Sequence, residues 1–186
     1  MRVFILTLAI SLSALLTACG TQLKVAEVDQ KTGLLQSERG EVTKAVVVTS
    51  KSASLARFGG TAFISNGGEY GVNQLKATKL FSEVLGYDDL QKLIVNSNLQ
   101  DKVQSIGEPI GLSRLAKAHK PFLWVNFKRV TKENKPYLQL IATNPENLEE
   151  LFVAEVHLDF VWAGVRDQNS RYPLFNAFMA WARSNP

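Results

Sequence analysis

Leu151-Phe-Val-Ala-Glu-Val-His-Leu-Asp-Phe-Val-Trp162 alternates with a period of two. Phe152, Ala154, Val156, Leu158, Phe160 and Trp162 fall on one side, and Val153, Glu155, His157, Asp159 and Val161 on the other. That pattern predicts a strand with one packed face and one half-polar face, as antiparallel sheets have. Working backwards, Phe122 to Val130 and Tyr137 to Thr143 predict two more strands. Thr131-Lys-Glu-Asn-Lys135 before Pro136, and Asn144-Pro-Glu-Asn147, supply turn chemistry between them. The three strands form an antiparallel meander. After it, Pro173-Leu-Phe-Asn-Ala-Phe-Met-Ala-Trp181 predicts a closing helix. Pro173 suits its first turn, and Leu174, Phe178 and Trp181 form its apolar stripe, with Phe175 and Ala182 beside it.

Upstream, Ala45-Val-Val-Val-Thr49 is β-branched and predicts a buried first strand. Glycines punctuate residues 51–71, leaving Thr61-Ala-Phe-Ile-Ser65 as a short edge strand. Val72 to Ala77 predicts a short helix, and Lys79 to Leu85 reads either as its extension or as a strand with Phe81 inward, closed by Gly86. Asp88-Asp89 suits a helix start, with Leu90, Leu93 and Ile94 at helical spacing behind it. Leu99 and Val103 suggest a second short helix, and Ser113 a cap for a third, in which Leu112, Leu115, Ala116 and His119 share a face. Helices followed by strands predict an α+β fold: one mixed β-sheet with helices packed on it and a closing C-terminal helix.

The chain begins differently. Met1-Arg2 precedes an apolar run from Val3 to Leu16, then Thr17-Ala18-Cys19-Gly20. The run is too short to span a bilayer and has the charge, apolar and small-residue order of a secretory signal. Leu16-Thr17-Ala18-Cys19 resembles the bacterial lipobox, in which the cysteine is acylated and the signal is cut before it. The resemblance implies a signal peptide over 1–18 and a lipidated Cys19. With Gly20 following rather than aspartate, it implies the inner leaflet of the outer membrane where the envelope has two membranes. Removing 18 of the 186 residues leaves 168, enough for one domain with a real core. Arg2 leaves with the signal, so the net charge of +4 becomes +3, too weak a balance to argue for nucleic acid. Cys19 is the one cysteine, so no internal disulfide or cysteine metal cluster can form, and its lipidation, as the resemblance implies, would leave no thiol nucleophile. Polar Thr21 to Thr43, broken by Gly33 and Gly40, predicts a flexible tether after Cys19, and residues 44–186 form the single domain.

Candidate chemistry is sparse. Glu155, His157 and Asp159 share a strand face about 7 Å apart and are candidates for a metal site, against the alternative of a merely polar face. His119, beside Lys117 and Lys120, suits a helix C-terminus. No serine sits in a Gly-x-Ser-x-Gly elbow, and Gly59-Gly60 and Gly67-Gly68-Glu-Tyr-Gly71 lack a phosphate-loop fingerprint. With Phe58, Phe63 and Tyr70, this glycine-rich stretch suggests a partner-binding loop. Trp124, Trp162 and Trp181 suit the core, or sugar stacking.

Ala45-Val-Val-Val, Phe122-Leu-Trp-Val-Asn-Phe, the alternating strand through Trp162-Ala-Gly164, and Tyr172-Pro-Leu-Phe-Asn-Ala-Phe-Met-Ala-Trp181 carry a second resemblance, by order of elements. The pattern is similar to small periplasmic lipoproteins and domains of the TolB amino-terminal, curli-secretion lipoprotein and penicillin-binding-protein activator class. The chain departs from that class in having a glycine-broken segment where the class has a long first helix. The resemblance implies a non-catalytic module that binds, assembles or modulates an envelope complex, with no cofactor and no shared catalytic motif. Its partners would be the membrane, through the anchor, and an envelope protein, with the oligomeric state open. The alternatives are a metal-dependent or serine hydrolase acting on the cell wall, and a peptidoglycan-binding structural lipoprotein.

Overall fold

The computed structural model describes residues 23–37, 44–158 and 170–186. Six strands form one mixed sheet: β1 (Val46–Ser50), β2 (Thr61–Ser65), β3 (Glu83–Leu85), β4 (Leu123–Lys132), β5 (Lys135–Asn144) and β6 (Glu149–His157). Their order across the sheet is β1-β6-β5-β4-β2-β3. β4, β5 and β6 are the antiparallel meander, and β1 adds antiparallel to β6. β2 runs parallel to both β3 and β4. Four α-helices complete the described residues: α1 (Gly68–Ala77), α2 (Tyr87–Asn96), α3 (Pro109–Ala118) and α4 (Tyr172–Arg183). This is the α+β fold that the periodicity predicts.

The β4–β5 hairpin is tighter than the five-residue polar turn suggests. Lys132 pairs with Lys135, so only Glu133 and Asn134 turn the chain, both at positive φ (49° and 61°). That conformation matches the twist of the flanking strands, so the strands continue to within two residues of each other.

The alternation sorts the core. Ala62, Ile64, Val125, Phe127, Leu140, Phe152, Ala154 and Val156 join Leu75 of α1 and Phe175 and Phe178 of α4 in the larger cluster. Phe152 stacks on Trp181 at 5.3 Å and meets Phe178 edge-on at 5.9 Å. The opposite face carries a smaller cluster, in which Phe63 and Phe122 meet Leu90 and Ile94 of α2 and Leu112 and Leu115 of α3. Leu99 and Val103 are buried there as well, but they sit in turns rather than a helix. α3 starts at Pro109, not at Ser113, because proline suits the first turn. Ser113 lies mid-helix, and its Oγ donates to the Glu146 carbonyl at 3.2 Å. Gly111 lets α3 approach the preceding loop: a Cβ there would lie 1.3 Å from the Ser105 carbonyl oxygen.

Two strands exchange the places expected of them. β2 is central and buried, between β4 and β3, because its flanking glycines serve turns. β1 is the outermost strand, with Val46, Val47 and Val48 exposed at 64%, 48% and 51%. β-branching favours a pleated backbone but does not require burial. The edge is interrupted by a register shift between Val47 and Thr49 and flanked by Lys44 and Lys51, devices that discourage edge pairing.

The expected tether is also corrected over residues 23–37, which lie as an extended strap on α1 and α4. The Gln74 side chain accepts from the Ala26 amide at 2.9 Å and donates to its carbonyl at 2.8 Å. Asn176 treats Leu35 the same way, at 2.7 and 3.1 Å, and Leu35 is only 1% exposed. The two amides stand in for a neighbouring strand, satisfying backbone groups that would otherwise need water. Between them the strap turns at Asp29, whose carboxylate accepts from the Lys31 and Thr32 amides and the Thr32 hydroxyl. These bonds, the Thr32 amide first, hold the Asp29 carboxyl below its usual range. Gly33 closes the turn at φ 71°, with the Arg183 guanidinium donating to its carbonyl at 2.8 Å. The signal, Cys19, residues 38–43, Asp159, Phe160, Val161 and Trp162 lie outside the described residues. Among the described residues no helix is long and apolar enough to cross a membrane.

Candidate functional site

The parallel half of the sheet positions a cleft. From β2 the chain crosses through α1 to β3 on one side, then returns through α2 and α3 to β4 on the other side of β2. α1 joins the larger cluster and α2 and α3 the smaller, so these crossovers lie on opposite faces. Where successive crossovers diverge, a crevice opens outside the carboxyl ends of the strands, a site that open sheets commonly use for ligands. A cleft of about 770 Å³ opens there.

Ser65 and Asn66 end β2 and line the cleft, with Trp124 of β4 beside them and Tyr87 at the start of α2. The Trp124 indole N–H donates to Ser65 Oγ at 2.8 Å. Ser65 Oγ donates to Asn126 Oδ1 at 3.2 Å, and Asn66 Nδ2 donates to the same oxygen at 2.9 Å. The network fixes the indole against the strand ends. Asn66 adopts φ 57° to make the turn into Gly67. Gly67 and Gly71 let α1 sit close on β2: a Cβ on Gly67 would lie 3.0 Å from the Gly71 Cα, and one on Gly71 would lie 3.2 Å from Ile64 Cδ1.

Charge in the cleft is mixed. Glu69 and Lys76 of α1 line it together with Asp88, Asp89 and Lys92 of α2. The N-cap of α2 is Gly86 rather than the expected Asp88-Asp89 pair, and Asp89, at the third helical position, accepts from the Gly86 amide at 3.1 Å. The cleft combines two aromatic rings, neutral amide and hydroxyl groups, and charges of both signs. That set suits a polar ligand with an apolar face. Neither histidine lines it: His119 is at the far end of α3 and His157 at the end of β6.

The expected site residues scatter. Phe58 and Phe63 are fully buried in the two separate clusters, so they cannot form a partner-binding loop. Alternation along β2 sends Phe63 inward, where the glycine-rich context suggested a surface. Tyr70 packs its ring against the Arg171 guanidinium at 5.2 Å, with Phe127 on the same cation at 5.2 Å. Trp181 is core, whereas Trp124 reaches the cleft.

Glu155 and His157 do share a face, but each is engaged. Lys132 Nζ reaches both Glu155 oxygens at 2.8 and 2.6 Å, and Gln139 Nε2 donates at 2.8 Å. Burial pushes the Glu155 carboxyl upward, and the bonds from Lys132 and Gln139 outweigh it, leaving the group below its ordinary value. His157 is exposed and meets the Tyr137 ring edge-on at 5.3 Å. Among the described residues no group of three histidine, cysteine or acidic side chains is placed to hold a metal, and Asp159 lies outside them.

The cleft residues left a faint signal in the sequence. Ser65-Asn66-Gly67-Gly68 follows an apolar strand and precedes a helix, and Asn126 interrupts the apolar Phe122 to Phe127. What hides them is that only the crossover order brings β2 beside β4. The chain matches no protein-family model, no curated protein and no solved structure.

Proposed function

We propose that the chain is a lipid-anchored envelope protein of the outer membrane whose domain acts by binding, as an assembly or modulating module of an envelope complex. The observation that carries this reading is the sequence Leu16-Thr17-Ala18-Cys19 after its short apolar run. The acyl chains on Cys19 would confine the domain to a surface, where weak contacts gain effective concentration. The cleft at the carboxyl end of β2 supports a binding role, since the hydrogen bonds among Ser65, Asn66, Trp124 and Asn126 hold an aromatic ring beside neutral and charged groups. The test is fractionation of a Cys19→Ser form. It should appear in the soluble fraction or remain unprocessed. Correct cleavage with continued membrane fractionation would refute the anchor.

A second reading is favoured by one observation. Trp124 and Tyr87 line the same cleft as Asn66 and Lys92, a mixture that suits stacking on a sugar ring. Peptidoglycan fragments would then quench or shift tryptophan emission, and Trp124→Phe would abolish that response. An unchanged spectrum at saturating fragment would remove the wall-binding reading.

A further inference from the structure

The docked strap shortens the leash between lipid and domain. Lys24, whose carbonyl accepts from the Tyr172 hydroxyl, lies five residues beyond Cys19. Five residues span at most about 18 Å when fully extended. The ten-residue β4 alone is about 34 Å long. A leash that short lets only the end of the domain where the strap starts rest on the bilayer.

Contacts identify that end. The Tyr172 hydroxyl, in the first turn of α4, donates to the Lys24 carbonyl at 3.4 Å. Its neighbour Arg171 lies over the Phe127 ring at 5.2 Å, and Arg171, Phe127 and Arg129 line one small cavity of about 250 Å³. The strap therefore starts at the level of Phe127 and Arg129, in the second half of β4, which leads into the β4–β5 hairpin. This hairpin reads Lys128-Arg-Val-Thr-Lys-Glu-Asn-Lys135, rich in cations with Glu133 its one acid. Lys132 is bound to Glu155, while Lys128, Arg129 and Lys135 are exposed. The opposite end carries Glu146, Glu149 and Glu150 at the β5–β6 turn, where Arg57 and Lys51 pair with the first two.

We propose that the hairpin end of the domain lies against the membrane, with Lys128, Arg129 and Lys135 on anionic phospholipid headgroups. The inference rests on the lipid-anchor reading. Leash and charge select the same end, and cations near an anionic surface are attracted within a Debye length. Asn66 lines both the small cavity and the cleft, so the two adjoin.

The experiment uses the full lipidated protein in vesicles of phosphatidylglycerol and phosphatidylcholine. Because the thioether blocks Cys19, a second cysteine is the only free thiol. Lys135→Cys and Glu146→Cys carry the same fluorophore, and a nitroxide lipid labelled at headgroup level is the quencher. The label at position 135 should lose most of its emission and the label at 146 almost none. Equal quenching, or more at 146, would overturn the orientation. In phosphatidylcholine alone, quenching at 135 should fall, and identical quenching would overturn the headgroup contact. Gln74→Ala combined with Asn176→Ala frees the strap and should erase the contrast between the two labels. A contrast that survives would overturn the leash. Mass spectrometry of the amino terminus separates this test from the anchor itself. An unmodified Cys19 defeats the anchor reading, whereas an acylated Cys19 with equal quenching defeats only the orientation.

Discussion

On one face of the sheet, α1, α4 and the strap cover a continuous apolar layer from Ala62 across to Val156. On the other, the cluster under α2 and α3 meets the sheet through Phe63, Leu85, Phe122 and Trp124. Beyond it the same face continues as Gln139, Glu155 and Lys132, joined by hydrogen bonds. The first face is sealed by apolar contact, and the second is part apolar and part polar. The cleft opens at the carboxyl end of β2, between α1 of the first face and α2 of the second, with Trp124 from the start of β4. Stability is therefore expected to concentrate on the sealed face, and recognition on the border of the other.

The largest effect should come from the sealed face. Phe178 is fully buried and touches Phe81, Phe152 and Trp181. Phe178→Ala should lower unfolding free energy by about 3–5 kcal/mol, measured by denaturant titration. A loss under about 1 kcal/mol would mean that this layer is not the main core.

Gly111→Ala probes the smaller cluster and should cost about 1–3 kcal/mol, because the added methyl meets backbone at Ser105 rather than a movable side chain. Since Ile106 and Gly107 line the cleft, Trp124 emission should shift as well. A stability loss with no spectral change would separate the cleft from α3 packing.

The smallest effect belongs to the polar part. Lys132 is about half exposed, so its pair with Glu155 should contribute about 1 kcal/mol or less. The Glu155 carboxyl lies below its ordinary value of 4.5 in the folded state. Its contribution is therefore fully present above about pH 4.5 and is lost as pH falls through the lowered value. The stability difference between the native protein and Glu155→Gln should shrink on acidification through this range. A difference that grows instead would show the carboxyl to be raised by burial.

The meander and closing helix were legible because their signals are local. Phe152, Ala154, Val156 and Leu158 are buried together as their alternation predicts, and Leu174, Phe178 and Trp181 are core at helical spacing. Phe63 and Val47 misled for a shared reason: residue type reports preference for a strand, whereas burial depends on the strand's place in the sheet. The strap was illegible because Gln74 and Asn176, distant in sequence and polar in type, supply its partners. Cleft residues were hidden likewise, since Ser65 and Asn126 meet only after α1, β3, α2 and α3 intervene.

The sequence by itself determined the meander and its facing residues, the closing helix and the lipobox-like start, since each is written within one short stretch of chain. The tertiary structure alone decided which strand became central, where the strap docked and which polar groups met at the cleft. Those are long-range pairings, chosen by the joint burial of surfaces that no local window contains.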